Sequence, residues 1–212
     1  IKSSLKKSNV SNLNDIYIKK TINRLKIYSE NAKIDLNKKW KINGIESPSI
    51  NTITKDLFKK IKGSEKSRFQ IIHGDLCFSN ILFSFRNHTI KLIDPRGIDN
   101  DNNSTIFGDL RYDLAKLTHS VIGLYDFIIA ERFLYKEKSK YDILFNVYEN
   151  PNTREIQEIF LDMKLFDQKI SSYCIMEIQI LLFFSMIPLH SDNPMKQKAF
   201  LANAISLFLK YK

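Results

Sequence analysis

The sequence is poor in residues that interrupt helices. Its 212 residues include only six glycines and five prolines. Few helix breakers, together with many Leu, Ile and Lys residues, favour a helix-rich fold. There are also only two cysteines, Cys77 and Cys174, which excludes a disulfide framework and a cysteine-based zinc site. We therefore expect a reducing, cytoplasmic location.

A long uninterrupted apolar segment is also missing. The most apolar run, CIMEIQILLFFSMIP at residues 174–188, contains Glu177 and Gln179 and is too short to span a bilayer. No signal peptide is recognisable. We therefore expect a buried helix here and no membrane partner. The chain begins at Ile1 rather than at a methionine, from which we expect a fragment or a processed product.

The formal net charge is +10, which could attract nucleic acid or another polyanion. The lysines are scattered, however, and do not form a stripe with interleaved aromatic residues. Lys, Asn and Ile are enriched along the whole chain, so general composition explains the charge better than a polyanion-binding surface. We expect no nucleic-acid partner, although a nucleotide substrate would still be attracted by the positive field.

Apolar periodicity predicts an α+β fold that is mostly helical, with a small β element inside it. Predicted helices cover residues 14–32, 49–62, 109–120, 124–136, 154–165, 168–187 and 194–210. Predicted strands cover residues 68–72, 80–85 and 89–94, and residues 39–49 read as a loop or turn. We divide the chain into a helical segment, residues 1–66, and a catalytic-loop and helical part, residues 67–212.

The stretch IIHGDLCFSNILF, residues 71–83, places His73, Asp75 and Asn80 in a polar loop between two apolar runs. Asp94 ends the next predicted strand pair. A hairpin at this position would bring Asp75, Asn80 and Asp94 to one edge. Two carboxylates and an amide oxygen are hard ligands that suit Mg²⁺ rather than zinc. Phosphoryl transfer needs such a metal site, together with one further carboxylate that orients the attacking hydroxyl.

In a chain of this composition, the spacing H-x-D-x-x-x-x-N is expected to arise by chance about 0.02 times. The segments HGDLCFSNIL, IKLIDPRG and GDLRYDLAKL resemble the aminoglycoside phosphotransferase and choline kinase family, which has a protein-kinase-like fold. The bacterial subset associated with capsule and surface polysaccharide is the most similar. The resemblance is dense over residues 70–126, and elsewhere the chain resembles the family's C-terminal lobe only in being helical.

The resemblance implies a role for each polar residue of these segments. Asp75 would be the catalytic base that orients the acceptor hydroxyl. Asn80 and Asp94 would bind Mg²⁺ against the phosphates of ATP. His73 would be a structural member of the loop, and Asp113, near a helix start, would anchor the loop through backbone N–H groups.

Other interpretations of these residues stay open. Asp75, Asn80 and Asp94 could be ordinary turn or cap residues, and Asp113 could be a helix cap. His119 reads as a core histidine with satisfied hydrogen bonds, and Cys77 as a small buried filler rather than a reactive thiol.

Arg96 follows Asp94 closely and has two interpretations that the sequence does not separate. It could contact a phosphate or an anionic acceptor. It could instead pair with Asp99, Asp101 or Asp109. Many relatives carry an apolar or acidic residue at this place, so a second acidic metal ligand beside Asp94 is in doubt.

A kinase of this family also has an N-terminal lobe with a phosphate-covering loop and a nucleotide-binding lysine. The first glycine of this chain is Gly44, and nothing upstream of the motif fits such a lobe. We therefore expect a C-terminal lobe that needs its N-terminal lobe as partner, and an upstream nucleotidyltransferase domain is a further expected partner. Alone, the chain should bind ATP weakly and turn over poorly.

The expected function is ATP-dependent phosphorylation of a small acceptor, such as a sugar or amino-alcohol, in surface polysaccharide or capsule biosynthesis. One alternative is a non-catalytic docking or regulatory module of the same fold. Another is a Mg²⁺-dependent phosphohydrolase that uses water as the nucleophile.

Overall fold

The computed structural model describes residues 10–64, 69–98 and 102–211. The helices within these ranges are α1 (Val10–Asn31), α2 (Ile50–Lys62), α3 (Leu110–Val121), α4 (Tyr125–Ile129), α5 (Thr153–Asp162), α6 (Ile175–Met186) and α7 (Pro194–Tyr211). The strands are β1 (Trp40–Ile42), β2 (Ile45–Ser47), β3 (Phe69–Ile71), β4 (Ile81–Ser84), β5 (Thr89–Leu92), β6 (Phe107–Asp109), β7 (Phe133–Ser139), β8 (Asp142–Val147), β9 (Lys164–Leu165) and β10 (Gln168–Lys169). About half of the chain is helical, and the fold is α+β with small sheets.

Helix α6 lies at the centre of the core. Its sequence, IMEIQILLFFSM, is apolar on nearly every side, and such a helix is stable only when other elements surround it. Helices α1, α2, α3 and α7 all pack against it. Phe183 and Phe184 are fully buried there, and each contributes about 1.5–3 kcal/mol through the hydrophobic effect. No helix among the described residues is both long enough and apolar enough to cross a membrane.

Helix α2 confirms the amphipathic pattern seen in the sequence. Ile50, Ile53, Leu57 and Ile61 are buried on one face, as their spacing predicts. The Ser49 hydroxyl caps the start of the helix by accepting a hydrogen bond from the backbone N–H of Thr52 at 3.2 Å. The helix ends at Lys62, as predicted, and Gly63 is its C-cap.

Residues 39–49 were predicted as a loop or turn, and this is only partly right. Asn43 and Gly44 do form a turn, with positive φ angles of 52° and 84°. The flanking residues, however, form the antiparallel strands β1 and β2. Asn-Gly between two alternating segments is a strong hairpin signal, and the burial of Trp40 and Ile42 on one side of β1 matches that alternation. The hairpin joins the four-stranded sheet β2-β1-β8-β7.

Three predicted helices are too long. The helix expected over residues 154–165 ends at Asp162, and Lys164 and Leu165 form strand β9. The helix expected over residues 124–136 ends at Ile129, and the chain then forms the hairpin β7-β8. Glu131 has a φ of 58°, which no helical residue adopts. The helix expected over residues 168–187 begins only at Ile175, because Cys174 has a φ of 55° and lies at the end of a short 3₁₀ turn.

Two small ladders carry the polar loop that the sequence singles out. Strand β3 pairs with β6, a strand that was not predicted, and Gln70 lies opposite Gly108. Strand β4 pairs with β5 in an antiparallel hairpin, with Ile81 opposite Leu92. The loop between β3 and β4 therefore begins on one ladder and ends on the other, which fixes both of its ends.

Candidate functional site

The loop of residues 72–80 folds into a tight turn. The backbone N–H of Cys77 donates to the Asp75 carbonyl, and that of Asn80 donates to the Cys77 carbonyl, both at 3.0 Å. Gly74 has a φ of +79°, and a Cβ added there would lie 2.8 Å from the Cβ of Arg96. Only glycine fits this position, because both the backbone conformation and the space exclude a side chain.

Asp113 binds the backbone of this loop. Its carboxylate accepts hydrogen bonds from the N–H groups of His73 at 2.7 Å and Gly74 at 2.8 Å. Asp113 lies in the first turn of α3 and is buried. Burial raises the pKa of its carboxyl, and the two N–H groups act in the opposite direction. This is the contact that the family resemblance implies for a loop anchor.

His73 joins the loop to the end of the β4-β5 hairpin. One ring nitrogen, Nε2, lies 2.9 Å from the Ile93 carbonyl, and the other, Nδ1, lies 3.3 Å from the Asp75 N–H. Since a carbonyl only accepts and an N–H only donates, Nε2 carries the proton and Nδ1 accepts. The backbone N–H of Arg96 donates to the His73 carbonyl at 2.9 Å. Both ring nitrogens are therefore engaged by backbone groups.

Asp75 and Asn80 are in contact. The Asn80 Nδ2 donates to the Asp75 carbonyl at 2.9 Å and to the Asp75 Oδ2 at 3.3 Å. Because the Nδ2 group faces those acceptors, the amide oxygen of Asn80 is the atom that can bind a cation. The Asp75 carboxylate is 41% exposed and so remains accessible to an acceptor.

Lys116 is the residue of the site that sequence reasoning missed. Its Nζ lies 2.6 Å from the Asp75 Oδ1, and its side chain is only 10% exposed. Burial alone would lower the pKa of Lys116, but nearby Tyr112 and Asp75 outweigh burial and raise it. Lys116 lies three residues after Asp113 in a helix, which puts both side chains on one face, and this spacing could have indicated it as a site residue.

Asp94 lies at the same end of the hairpin as Asn80. The residue before it, Ile93, donates its backbone N–H to the Asn80 carbonyl at 3.0 Å. Asp94 is exposed and has a φ of 55°, a conformation that costs roughly 1–2 kcal/mol in a non-glycine residue. No hydrogen bond joins its carboxylate to Asn80 among the described residues. The structure thus brings Asp75 and Asn80 together and holds Asp94 near them through the backbone.

The donor set fits Mg²⁺ in part. Asn80 and Asp94 offer one amide and one carboxylate oxygen, and Mg²⁺ binds one or two such groups while it keeps water or phosphate oxygens. A closed protein cage is not present: the described residues contain no group of three or more His, Cys, Asp or Glu side chains suited to a metal. Any metal here would therefore depend on ligand oxygens.

Arg96 lies half-buried beside Gly74. Two of its predicted acidic partners, Asp99 and Asp101, lie outside the described residues. The third, Asp109, is bound by the fully buried Arg111, with distances of 2.8 Å from Nε and 2.7 Å from Nη2 to its Oδ2. A phosphate contact by Arg96 stays a prediction.

Cys77 and His119 lie near the site, and the sequence predicts a structural role for each. Cys77 is buried, with its Sγ 3.2 Å from the Ser79 hydroxyl, as expected of a filler. His119 is a core residue, stacked between Tyr125 and Phe183. The expectation that its hydrogen bonds are satisfied is wrong, because neither ring nitrogen has a hydrogen-bond partner among the described residues. Burial lowers its pKa well below the usual value.

The arrangement as a whole presents the accessible carboxylate of Asp75, which is paired with the buried cation of Lys116 and is in contact with Asn80. Such a site can orient a hydroxyl and take up its proton next to a metal-bound anion. Comparison of the chain with protein-family models, with curated proteins and with solved structures finds no match.

Proposed function

We propose that the chain is the C-terminal lobe of a small-molecule kinase, which transfers the γ-phosphoryl group of ATP to a hydroxyl of a small acceptor. The observation that carries the proposal is the fixed position of Asp75. Its loop is bound by Asp113 through two backbone N–H groups, and its carboxylate touches both Asn80 and Lys116. Catalysis of this reaction consists mainly of positioning and electrostatic stabilisation, and a rigid loop serves both.

In this proposal Asp75 orients the acceptor hydroxyl and accepts its proton as the O–P bond forms. Asn80 and Asp94 hold Mg²⁺, which when bound neutralises charge on the nucleotide phosphates. His73 and Asp113 keep the loop in place and do not touch the reacting atoms. The acceptor would be a sugar or an amino-alcohol, as in surface polysaccharide synthesis.

An exposed apolar surface supports the need for a second lobe. The β3-β6 ladder, the β4-β5 ladder and the turn between β4 and β5 expose large apolar side chains, among them Ile71 (66% exposed), Phe85 (82%) and Ile90 (67%). Apolar side chains concentrated in one region mark an interaction surface. We propose that a nucleotide-binding N-terminal lobe covers this surface and that ATP binds between the two lobes.

The test is Asp75→Asn in the full-length protein. Loss of the base should lower the rate of ATP-dependent acceptor phosphorylation by roughly 10²–10⁴-fold. Circular dichroism should show that the fold is retained, with a lowered unfolding temperature because the buried Lys116 loses its charged partner. Asp56→Asn, an exposed change on α2, is the control and should leave the rate unchanged. A near wild-type rate for Asp75→Asn would refute the assignment of the base. Release of phosphate without a phosphorylated acceptor would instead identify a phosphohydrolase.

A further inference from the structure

One face of α1 lies against the start of α3 next to the candidate site. Tyr17 stacks on Tyr112, with ring centroids 6.0 Å apart, and donates its hydroxyl to Asp109 at 3.3 Å. Lys20 and Arg24 follow Tyr17 at helical spacing, so they continue the same face of α1. Lys20 interacts electrostatically with Asp75 and Arg96, and Arg24 interacts with Arg96, so both basic residues of α1 lie near the loop that carries Asp75.

Basic residues from three segments meet there. Lys116, one turn after Tyr112 on α3, reaches Asp75 at 2.6 Å. Arg24 is half-buried and fixed by a hydrogen bond from Nη1 to the Ser185 carbonyl at 2.9 Å. Arg96 packs on Gly74, the residue before Asp75. We call Lys20, Arg24 and Lys116, together with Arg96, the basic cluster.

The members of the basic cluster affect one another electrostatically. Burial, with smaller contributions from Arg24, Arg96 and Lys116, lowers the pKa of Lys20 to about 8, whereas Asp75 acts in the opposite direction. Burial also lowers the pKa of Arg24, and Arg96 contributes to that shift. Like charges held together where water is partly excluded destabilise the folded protein. Basic residues with perturbed pKa values that gather beside a candidate catalytic carboxylate are typical of functional sites.

We infer that the basic cluster binds an anionic group, a phosphate or a carboxylate, that the acceptor already carries next to the hydroxyl to be phosphorylated. The inference rests on the proposed function, because it places the acceptor beside Asp75. Lys116 is paired with Asp75, so Lys20 and Arg24 supply most of the contact with the anion. Arginine and lysine bind phosphate and carboxylate oxygens through charge-assisted hydrogen bonds. This narrows the acceptor class of the proposed function to an acidic hydroxyl compound, such as a sugar phosphate, and removes neutral sugars and cationic amino-alcohols from it.

The test is a calorimetric titration of the chain with glucose 6-phosphate and, separately, with glucose. We expect the phosphate ester to bind and the neutral sugar not to bind. Lys20→Gln and Arg24→Gln should each weaken binding of the ester by about tenfold or more, as loss of one charge-assisted hydrogen bond implies. Lys19→Gln, the neighbouring exposed position on α1, is the matched control and should bind like wild type. Failure of the ester to bind, or an equal loss in all three variants, would overturn the inference.

The same variants distinguish the acceptor from the nucleotide as the source of the anion. If the cluster serves the acceptor, Lys20→Gln leaves the affinity of the full-length protein for Mg²⁺–ATP as it is in wild type. A fall in Mg²⁺–ATP affinity by the same factor as for the ester would assign the cluster to the nucleotide phosphates and overturn the inference. These titrations measure binding and not phosphoryl transfer, so they test this inference separately from the proposed function. Ester binding by a protein that shows no kinase activity would refute only the proposed function. Kinase activity without ester binding would refute only this inference.

Discussion

Replacing Asp113 with asparagine tests how the loop that carries Asp75 is held. The carboxylate now accepts two hydrogen bonds, from the N–H groups of His73 and Gly74. Asparagine keeps one acceptor oxygen but turns an NH₂ group towards the second N–H. One buried donor therefore loses its partner and faces another donor. Hydrogen bonds to a charged acceptor contribute about 1.5–3 kcal/mol each, so we expect the free energy of unfolding to fall by about 2–4 kcal/mol.

Urea denaturation at neutral pH measures the stability change, and hydrogen exchange locates it. The amides of His73 and Gly74 should lose protection in Asp113→Asn, while those of α6 should change only as far as global stability falls. Asp56→Asn, on the exposed face of α2, is the control. Unchanged protection at both loop amides would show that the loop is held by other contacts, and the reasoning about the anchor would be refuted.

Two further predictions follow from the backbone of the loop and from the core. Gly74→Ala should destabilise the protein by more than Gly44→Ala, because both glycines have positive φ but only at Gly74 does an added Cβ meet another side chain. The difference between the two unfolding free energies measures the cost of the steric contact at Gly74, and equal losses of stability in the two variants would contradict the prediction. The wild-type protein should lose stability on acidification, and His119→Leu should abolish that loss. Because the folded-state pKa of His119 is lowered, the unfolded state takes up the proton first, and stability falls as the pH drops below about 6.5, by about 1.4 kcal/mol per unit. Denaturation at two pH values on either side of 6.5 tests this, with exposed His88→Asn as control, and an equal acid dependence in His119→Leu and wild type would contradict it.

The contacts within the loop were predictable from sequence because they depend on short spacings. Asp75 and Asn80 lie five residues apart, and a turn between two strands can bring them together without help from distant parts of the chain. Helix α2 was predictable for a similar reason, since Ile50 and Leu57 fall on one face by local periodicity alone. Local patterns are reliable where tertiary packing agrees with them.

The contacts between distant segments could not be predicted. The β7-β8 hairpin follows residues with ordinary helical periodicity, and it is stabilised by pairing of β8 with β1, about 100 residues earlier. Lys20 interacts electrostatically with Asp75, and its helix is held against α3 by the packing of Tyr17 on Tyr112, a contact between helices that no spacing in the sequence specifies. The ring nitrogens of His119 have no hydrogen-bond partner in the part of the chain that the structure describes, which is likewise a result of the aromatic packing around it.

Binding of Mn²⁺, as a spectroscopic substitute for Mg²⁺, tests the central claim most directly. Titration of the full-length protein with Mn²⁺ in the presence of a non-hydrolysable ATP analogue, followed by electron paramagnetic resonance, should show nucleotide-dependent metal binding. Asp94→Asn and Asn80→Ala should each remove that binding, and Asp56→Asn should not. If Asp94→Asn and Asn80→Ala both bind Mn²⁺ as wild type does, these two side chains do not hold a catalytic metal and the kinase proposal is contradicted.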